Sequence, residues 1–230
     1  MAALRSVEYQ GDCMQTGLIR HRIFDELRDA IMSCALQPGS ELREGELAQQ
    51  YGVSKSPIRD ALQKLEFEGL VQIASRQGHR VVPISVGDAH DILDLRETLE
   101  QAAVKKIVAE AVNKDLETLN KFRVTDMATL RSFAAYNRDF HAEICRLAGN
   151  ARQSAVMQSL MDNYERLCIV SLSSRRQQAA AMAAALKDHN DIIDALQARD
   201  GRKAARLSGK HIRKSQSQIM RGLNSRTVVG

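Results

Sequence analysis

The sequence predicts a mainly α protein in two parts: an N-terminal unit of three helices plus a β-hairpin, then an all-helical antiparallel bundle. Three observations predict it. Apolar residues recur at spacings of three and four along most of the 230 residues. Ala, Leu, Glu, Lys, Arg and Gln are abundant, while proline occurs three times and tryptophan not at all, a composition that favours helices. One stretch, "VQIASRQGHRVVPI" (71–84), interrupts the helical period with two β-branched runs around a glycine.

Residues 1–16 show no periodicity and read as a flexible tail. From Leu18 to Leu36, Ile19, Ile23, Leu27 and Ile31, flanked by Phe24 and Met32, make one apolar helix face. "QPGS" (37–40) ends that helix. A short helix follows at Glu44–Gln50, then a corner at Gly52, then a third helix from about Ser54 to Glu68. Ser54 or Ser56 can cap it, and Pro57 is tolerated because first-turn amides lack intrahelical partners. Ile58, Ala61, Leu62 and Leu65 form its buried stripe, and Gly69 closes it. The β-branched runs then pair as a hairpin with Gly78 at the tip. This first domain spans 17–84, and 85–87 read as a linker. Helices are expected at 88–112, 115–121, 127–148, 151–173, 178–198 and 201–222, with turns at Gly149-Asn150 and Asp200-Gly201 and a tail at 223–230.

The net charge of +5 does not by itself point to nucleic acid. Residues 1–84 hold 10 Lys and Arg against 11 Asp and Glu; the surplus lies at 199–226, with nine basic side chains and one acidic. Part of that run reads as a solvated helix face. No apolar run approaches the roughly 18 residues that cross a bilayer, and the N-terminus lacks a signal-peptide core. Cys13, Cys34, Cys145 and Cys168 show no paired spacing. A cytoplasmic protein without a membrane partner is expected. Cys145 follows His141 by one turn and reads as a packed thiol before a metal ligand.

Three helices with a tight turn before the third and a hairpin after it make a winged helix-turn-helix. In that arrangement the third helix enters the major groove of double-stranded DNA, and its N-terminal residues reach base edges. The apolar stripe fixes the helix from behind, leaving Lys55, Ser56 and Arg59 to project beside Ser54. Lysine and arginine match O6 and N7 of guanine, while a serine hydroxyl or the first-turn amides suit a phosphate. Gln77, Gly78 and His79 at the hairpin tip would lie along the adjacent minor groove or backbone, where a glycine permits close approach. The competing reading pairs Arg59 with Asp60 or Glu44 on a solvated surface.

"LREGELAQQYGVSKSPIRDALQKLEFEGLV" (42–71), followed by "RQGHRVVP" (76–83), resembles the N-terminal domain of GntR-type bacterial transcription regulators. Three positions depart from that pattern. Lys55 stands for the usual arginine and Ser56 for the usual threonine. Gly45 stands where many members carry a charged side chain near the phosphates, so that contact would fall to Arg43.

Further along, "LDLRETLEQAAV" (93–104), "NRDFHAEICRLAGN" (137–150), "KDHNDIIDAL" (187–196) and "GKHIRKS" (209–215) resemble the FCD domain, the effector module of the fatty-acid-regulator-like branch of that family. The resemblance implies an antiparallel helical bundle around a pocket that often holds a metal. It also implies a carboxylate effector at the open coordination positions, with Arg96 binding the acid bidentately. The competing partner for Arg96 is Glu100 on the same helix.

Spacing supports the metal independently. His189 lies 11 residues before Asp200 and His211 lies 11 after it. If two antiparallel helices turn there, both imidazoles sit at the same height, about 16 Å from the turn at 1.5 Å per residue. Asn137 and His141 stack at i and i+4 on a third helix. Three neutral imidazoles and one side-chain oxygen suit a divalent transition ion, zinc first and nickel second. The resemblance implies Asp or Asn at the position of Asn137, and a neutral amide binds a cation more weakly than a carboxylate.

These readings converge on a ligand-responsive DNA-binding regulator, expected to be a repressor. It would bind an inverted-repeat operator as a homodimer and respond to a small organic acid or sugar acid. Two alternatives stay open. One is a metal-dependent hydrolase, although Glu143, its nearest candidate base, lies on nearly the opposite side of the helix from His141, and no H-E-x-x-H or phosphate loop is present. The other is an architectural DNA-binding protein whose bundle only dimerises.

Overall fold

The computed structural model describes the backbone of residues 6–74, 78–124, 128–172 and 175–224, and the side chains of 18–74, 78–124, 128–172 and 178–223. The chain divides into two units, Met1–Pro83 and Ile84–Gly230. No helix among the described residues is long and apolar enough to cross a membrane.

The first unit contains α1 (Ser6–Met32), β1 (Glu41–Leu42), α2 (Glu44–Tyr51), α3 (Lys55–Phe67), β2 (Val71–Ala74) and β3 (Gly78–Val81). Helix α1 starts at Ser6, so the expected tail at 1–16 is helical from Ser6 onward. That segment shows no apolar stripe, which hid it from periodicity. Extending a helix that is already nucleated needs no such stripe.

Ile23, Leu27 and Ile31 of α1 meet Ile58, Ala61, Leu62 and Leu65 of α3, with Leu42, Val71 and Val81 of the sheet completing one core. The predicted stripe of α3 is therefore the buried one. Leu62 is 0 % exposed, and Leu62→Ala is expected to cost about 2–5 kcal/mol of stability from lost transfer energy and the residual cavity. Urea denaturation with an unchanged slope would measure it.

Between α2 and α3 the chain turns at Gly52, whose φ of 65° lies in the left-handed region. Its N–H donates to the Gln49 carbonyl at 3.2 Å and that of Val53 to Ala48 at 3.0 Å, closing the C-terminus of α2. Ser54 occupies the N-cap of α3, but its hydroxyl makes no capping bond.

The sheet has the order β1-β3-β2, all antiparallel. Sequence reading found the β2–β3 hairpin but not β1, which at two residues is too short to show alternation. The strand has a consequence for Gly78. That residue is not at the tip but is the first of β3, paired with Ala74. Its φ is 91°, and a Cβ there would lie 3.3 Å from the Leu42 carbonyl oxygen. Close approach of β1 thus explains the glycine from within the protein.

The second unit is built from α4 (Val86–Glu110), α5 (Asn113–Glu117), a 3-10 turn (Thr118–Phe122), α6 (Leu130–Leu147), α7 (Ala151–Ser171), α8 (Arg175–Gln197) and α9 (Gly201–Asn224). The starts of four helices are capped by side chains. Ser85 accepts from the Asp88 amide, Thr129 forms a reciprocal box with Ser132, Asn150 accepts from Gln153, and Asp200 accepts from the Lys203 amide. The α8–α9 turn is set by Arg199 at φ 59°. Its guanidinium donates to the carbonyls of Ile107, Val108 and Ala111, satisfying the end of α4. That clamp fixes α8 and α9 against α4 and brings their inner faces together.

Candidate functional site

In the first unit, Ser54, Lys55, Ser56 and Arg59 are all exposed at the N-terminal end of α3, while Pro57 and Ile58 between them are buried. Arg59 is not bare. Its guanidinium donates to both oxygens of Glu44, at 3.1 and 2.8 Å, so the pairing weighed against DNA contact is present. The same pair holds the Glu44 carboxyl below its ordinary range. Asp60, the other partner considered, binds Arg20 instead. Arg43 is exposed and bridges Glu41 and Glu46 at 3.0 and 3.1 Å. A Cβ at Gly45 would stand 3.8 Å from Lys55 Cε, so the glycine leaves that side of Lys55 open.

The wing differs from expectation. His79 was placed on an exposed tip, but it is 9 % exposed, opposite Leu42 and Ile73 and on the same strand face as Val81. The period of two along β3 turns residues 79 and 81 inward and 78 and 80 outward. Gly78 is exposed. Gln77 lies outside the described residues.

In the second unit, α6, α8 and α9 bring His141, His189 and His211 together, all buried, with their nearest nitrogens within 4.8 Å of one another. The ring centroids lie 4.6 to 5.2 Å apart. Asn137, one turn before His141, is 1 % exposed, and neither its Oδ1 nor its Nδ2 has a hydrogen-bond partner. A buried amide left so is expensive unless a ligand completes it.

The outer partners set the tautomers. Tyr136 donates its hydroxyl proton to the Phe122 carbonyl at 3.0 Å, so its oxygen accepts from His189 Nδ1 at 3.0 Å. Asp188 Oδ2 accepts from His211 Nδ1 at 3.4 Å; that hydrogen bond and Lys214 hold the Asp188 carboxyl down at about 2, so it is ionised. With both Nδ1 atoms protonated, both Nε2 atoms carry lone pairs, and they face each other at 3.2 Å. Two lone pairs do not bond; they suit two ligands of one cation, oriented from behind by a hydroxyl and a carboxylate. Burial, then neighbouring cationic groups, push His141 and His189 well below the usual histidine range. Burial also lowers His211 against the pull of Asp188. The imidazoles are therefore neutral near pH 7; His189 and His211 each present an Nε2 lone pair, while that of His141 accepts from Arg96 and would serve a cation only once that donor moves. These donors fit a divalent transition ion.

Arg96 and Glu100 of α4 are both buried. Arg96 Nη2 donates to His141 Nε2 at 2.6 Å, its guanidinium carbon lies 4.5 Å over the Tyr164 ring, and its Nε and Nη1 have no hydrogen-bond partner. Glu100 Oε2 is 3.7 Å from Arg96 Nε, beyond hydrogen-bond range, and 2.8 Å from His141 Nδ1 but off the line of a hydrogen bond, while Oε1 accepts from Ser208 at 2.7 Å. Both readings of Arg96, toward the centre and toward Glu100, thus hold part of its geometry.

A narrow cleft, partly open to solvent, reaches the centre at Asn137 and His211 and runs along Asp188, Lys214, Ser215 and Gln218. Arg96 is not among its walls. Cys145 stands outside the histidine cluster, 0 % exposed, with burial pushing its thiol up to about 12. It is a packed core residue. Sequence reading missed Glu100 as a partner of His141, and also Tyr136, Asp188 and Lys214. The carboxylate before His189 was visible in "KDHND", but nothing local linked it to His211.

A winged helix-turn-helix followed in the chain by a helical unit with three clustered histidines is the architecture of a DNA-binding regulator. Residues 19–81 match the bacterial regulatory proteins of the gntR family, and residues 91–214 match the FCD domain. The chain belongs to the GntR family and carries an FCD domain; it is a transcription regulator and not an enzyme. Among relatives, it is 26% identical over 206 residues to the HTH-type transcriptional repressor RspR of Escherichia coli K12, covering 87% of this chain and 89% of that protein. It is 28% identical to a probable D-xylose utilization operon transcriptional repressor of Paenarthrobacter nicotinovorans, over 87% of this chain and 90% of that one. To the uncharacterized regulator YdhC of Bacillus subtilis strain 168 it is 34% identical over 100 residues, 44% of this chain and 45% of that protein. A GntR regulator structure from Rhodococcus sp. RHA1 shares the fold at a TM-score of 0.72 and 22% identity, covering 87% of this chain and 96% of that one.

Proposed function

We propose that this regulator is a cytoplasmic repressor that binds an inverted-repeat operator as a homodimer and loosens its grip when a small organic or sugar acid enters the helical unit. Lys55, Ser56 and Arg59 read bases, and Arg43, Ser54 and the wing near Gly78 contact the backbone. A divalent ion, zinc first and nickel second, is bound by Asn137, His141, His189 and His211. It supplies a Lewis-acidic seat for the acid, and Arg96 turns its unpartnered nitrogens to the same carboxylate.

The observation that carries this reading is the pair of Nε2 lone pairs 3.2 Å apart beside the unpartnered Asn137 amide. A purely structural bundle would have no reason to leave three buried polar side chains in that condition. Two full-length relatives are named as repressors, which supports the sign of regulation. Control by the acid requires that it bind one arrangement of the dimer more tightly than the other. Selection from a random duplex pool by the purified full-length protein tests the DNA half. Enrichment of a two-fold symmetric site is expected, and enrichment of no sequence would end the reading as a specific regulator.

A further inference from the structure

The end of α3 that reads bases in the proposal above carries carboxylates as well as cations around it. Glu41, Glu44 and Glu46 stand among Arg43, Lys55 and Arg59, and these six charges sum to zero. Residues 1–84 hold 10 basic side chains against 11 acidic. A protein gains its sequence-independent affinity for DNA by neutralising phosphate charge. A carboxylate at this place therefore costs affinity for every duplex alike. Glu44 is bonded to α3 itself, and the Arg59 fork, with Lys55 adding to it, holds its carboxyl below the ordinary range, so it is ionised at neutral pH.

The fork decides which edge of Arg59 faces outward. A guanidinium has five N–H donors, one on Nε and two on each Nη. Glu44 Oε1 accepts from Nε at 3.1 Å and Oε2 from Nη2 at 2.8 Å, which occupies the side edge. The end edge, one N–H of Nη1 and the outer N–H of Nη2, is left open with two parallel donors. That pair matches O6 and N7 of guanine. Arg59 is also the more exposed of the two side chains, so the carboxylate stands behind and the guanidinium in front. An arginine already held in this way loses less rotamer freedom when it meets a base.

We propose that Glu44 is a specificity-determining residue: it holds Arg59 so that the Nη1–Nη2 edge is the one offered to a base, and its charge weakens binding to any duplex without the matching guanine. This rests on the reading of α3 as the recognition helix. Glu44 acts through Arg59 and is a positioning residue. On the matching site the fork and the guanine use different edges, so both sets of hydrogen bonds stand together. On a mismatched site the guanidinium gains a phosphate by leaving Glu44, and the bared carboxylate then faces the phosphates. Discrimination comes from penalising the wrong partner as well as from fitting the right one.

Mobility shifts of the full-length protein with the selected duplex, its single-base variants and a scrambled duplex test this. Glu44→Gln keeps the side-chain shape, removes the charge and exchanges one acceptor for a donor, which breaks the fork. It is expected to bind the scrambled duplex about threefold or more tightly than wild type at low salt. Its preference for the selected duplex should fall about tenfold, relaxed at the half-site position where Arg59→Ala also relaxes. The double variant should show the preference of Arg59→Ala alone, because no guanidinium is left to position. Glu44→Ala serves if the glutamine variant is unstable, and it should relax the same position. Undiminished preference in the Glu44 variants beside a clear loss in Arg59→Ala would overturn the proposal and leave the reading of α3 intact. A loss spread evenly over all positions, or one that adds to the Arg59→Ala loss in the double variant, would overturn it too. Unchanged preference in Arg59→Ala would be a different result: it would remove Arg59 as a base reader and this inference with it.

Discussion

Replacing Lys55 and Arg59 together by alanine is expected to weaken binding to the selected inverted repeat by about a hundredfold or more, since each specific base contact is worth about 1–3 kcal/mol and each 1.4 kcal/mol is a factor of ten. Both side chains are exposed, so the fold and its thermal midpoint should be unchanged. The fork between Arg59 and Glu44 does not argue against this. Side-chain exposures of 56 % and 22 % make it a surface pair, worth about 0–1 kcal/mol, less than a guanine contact returns. The fork can also align the guanidinium before it meets a base. Mobility shifts with the selected duplex and a scrambled one, for the double variant and for each single variant, measure the effect. Undiminished preference for the selected duplex in the double variant would remove α3 as the reading element.

Loss of the metal centre should be the second large effect. His189→Ala deletes a ring that is stacked on Phe140 at 3.9 Å and hydrogen-bonded to Tyr136, so a cavity cost accompanies any metal loss. Chelation of the wild type separates the two. At metal a hundredfold above its dissociation constant, bound ion stabilises the native state by about 2.7 kcal/mol, and a chelator should lower the thermal midpoint accordingly. In His189→Ala the midpoint should already be low and indifferent to chelator, with elemental analysis falling from one ion per chain to none. Acids should then shift neither its melting nor its DNA affinity. A midpoint equally indifferent to chelator in the wild type, with no ion bound, would leave the three imidazoles as core packing.

Much of this was legible in the residues. The α3 stripe of Ile58, Ala61, Leu62 and Leu65 is a strong 3.6-residue pattern bounded by glycines, which is where local reading succeeds. The meeting of His189 and His211 followed from equal spacing about Asp200-Gly201, because an antiparallel turn converts sequence symmetry into spatial register. What local patterns could not show were contacts made across elements. Glu44 reaches Arg59 from α2, Glu100 reaches His141 from α4, and Tyr136 orients His189 from α6. His79 was misplaced for a related reason: its burial follows from the strand register with β1, a two-residue partner without a pattern of its own. The early start of α1 escaped because helical hydrogen bonding can continue past the last core-facing residue.

Footprinting of the DNA upstream of the protein's own gene, repeated as zinc and each of a panel of small organic and sugar acids are titrated together, tests most directly that DNA recognition and acid sensing reside in one chain. A two-fold symmetric footprint should form in the absence of acid, fade as one of these acids is added with zinc, and persist when the same acid is added with a chelator. A footprint no stronger than on unrelated DNA, or one indifferent to every acid with zinc present, would contradict it.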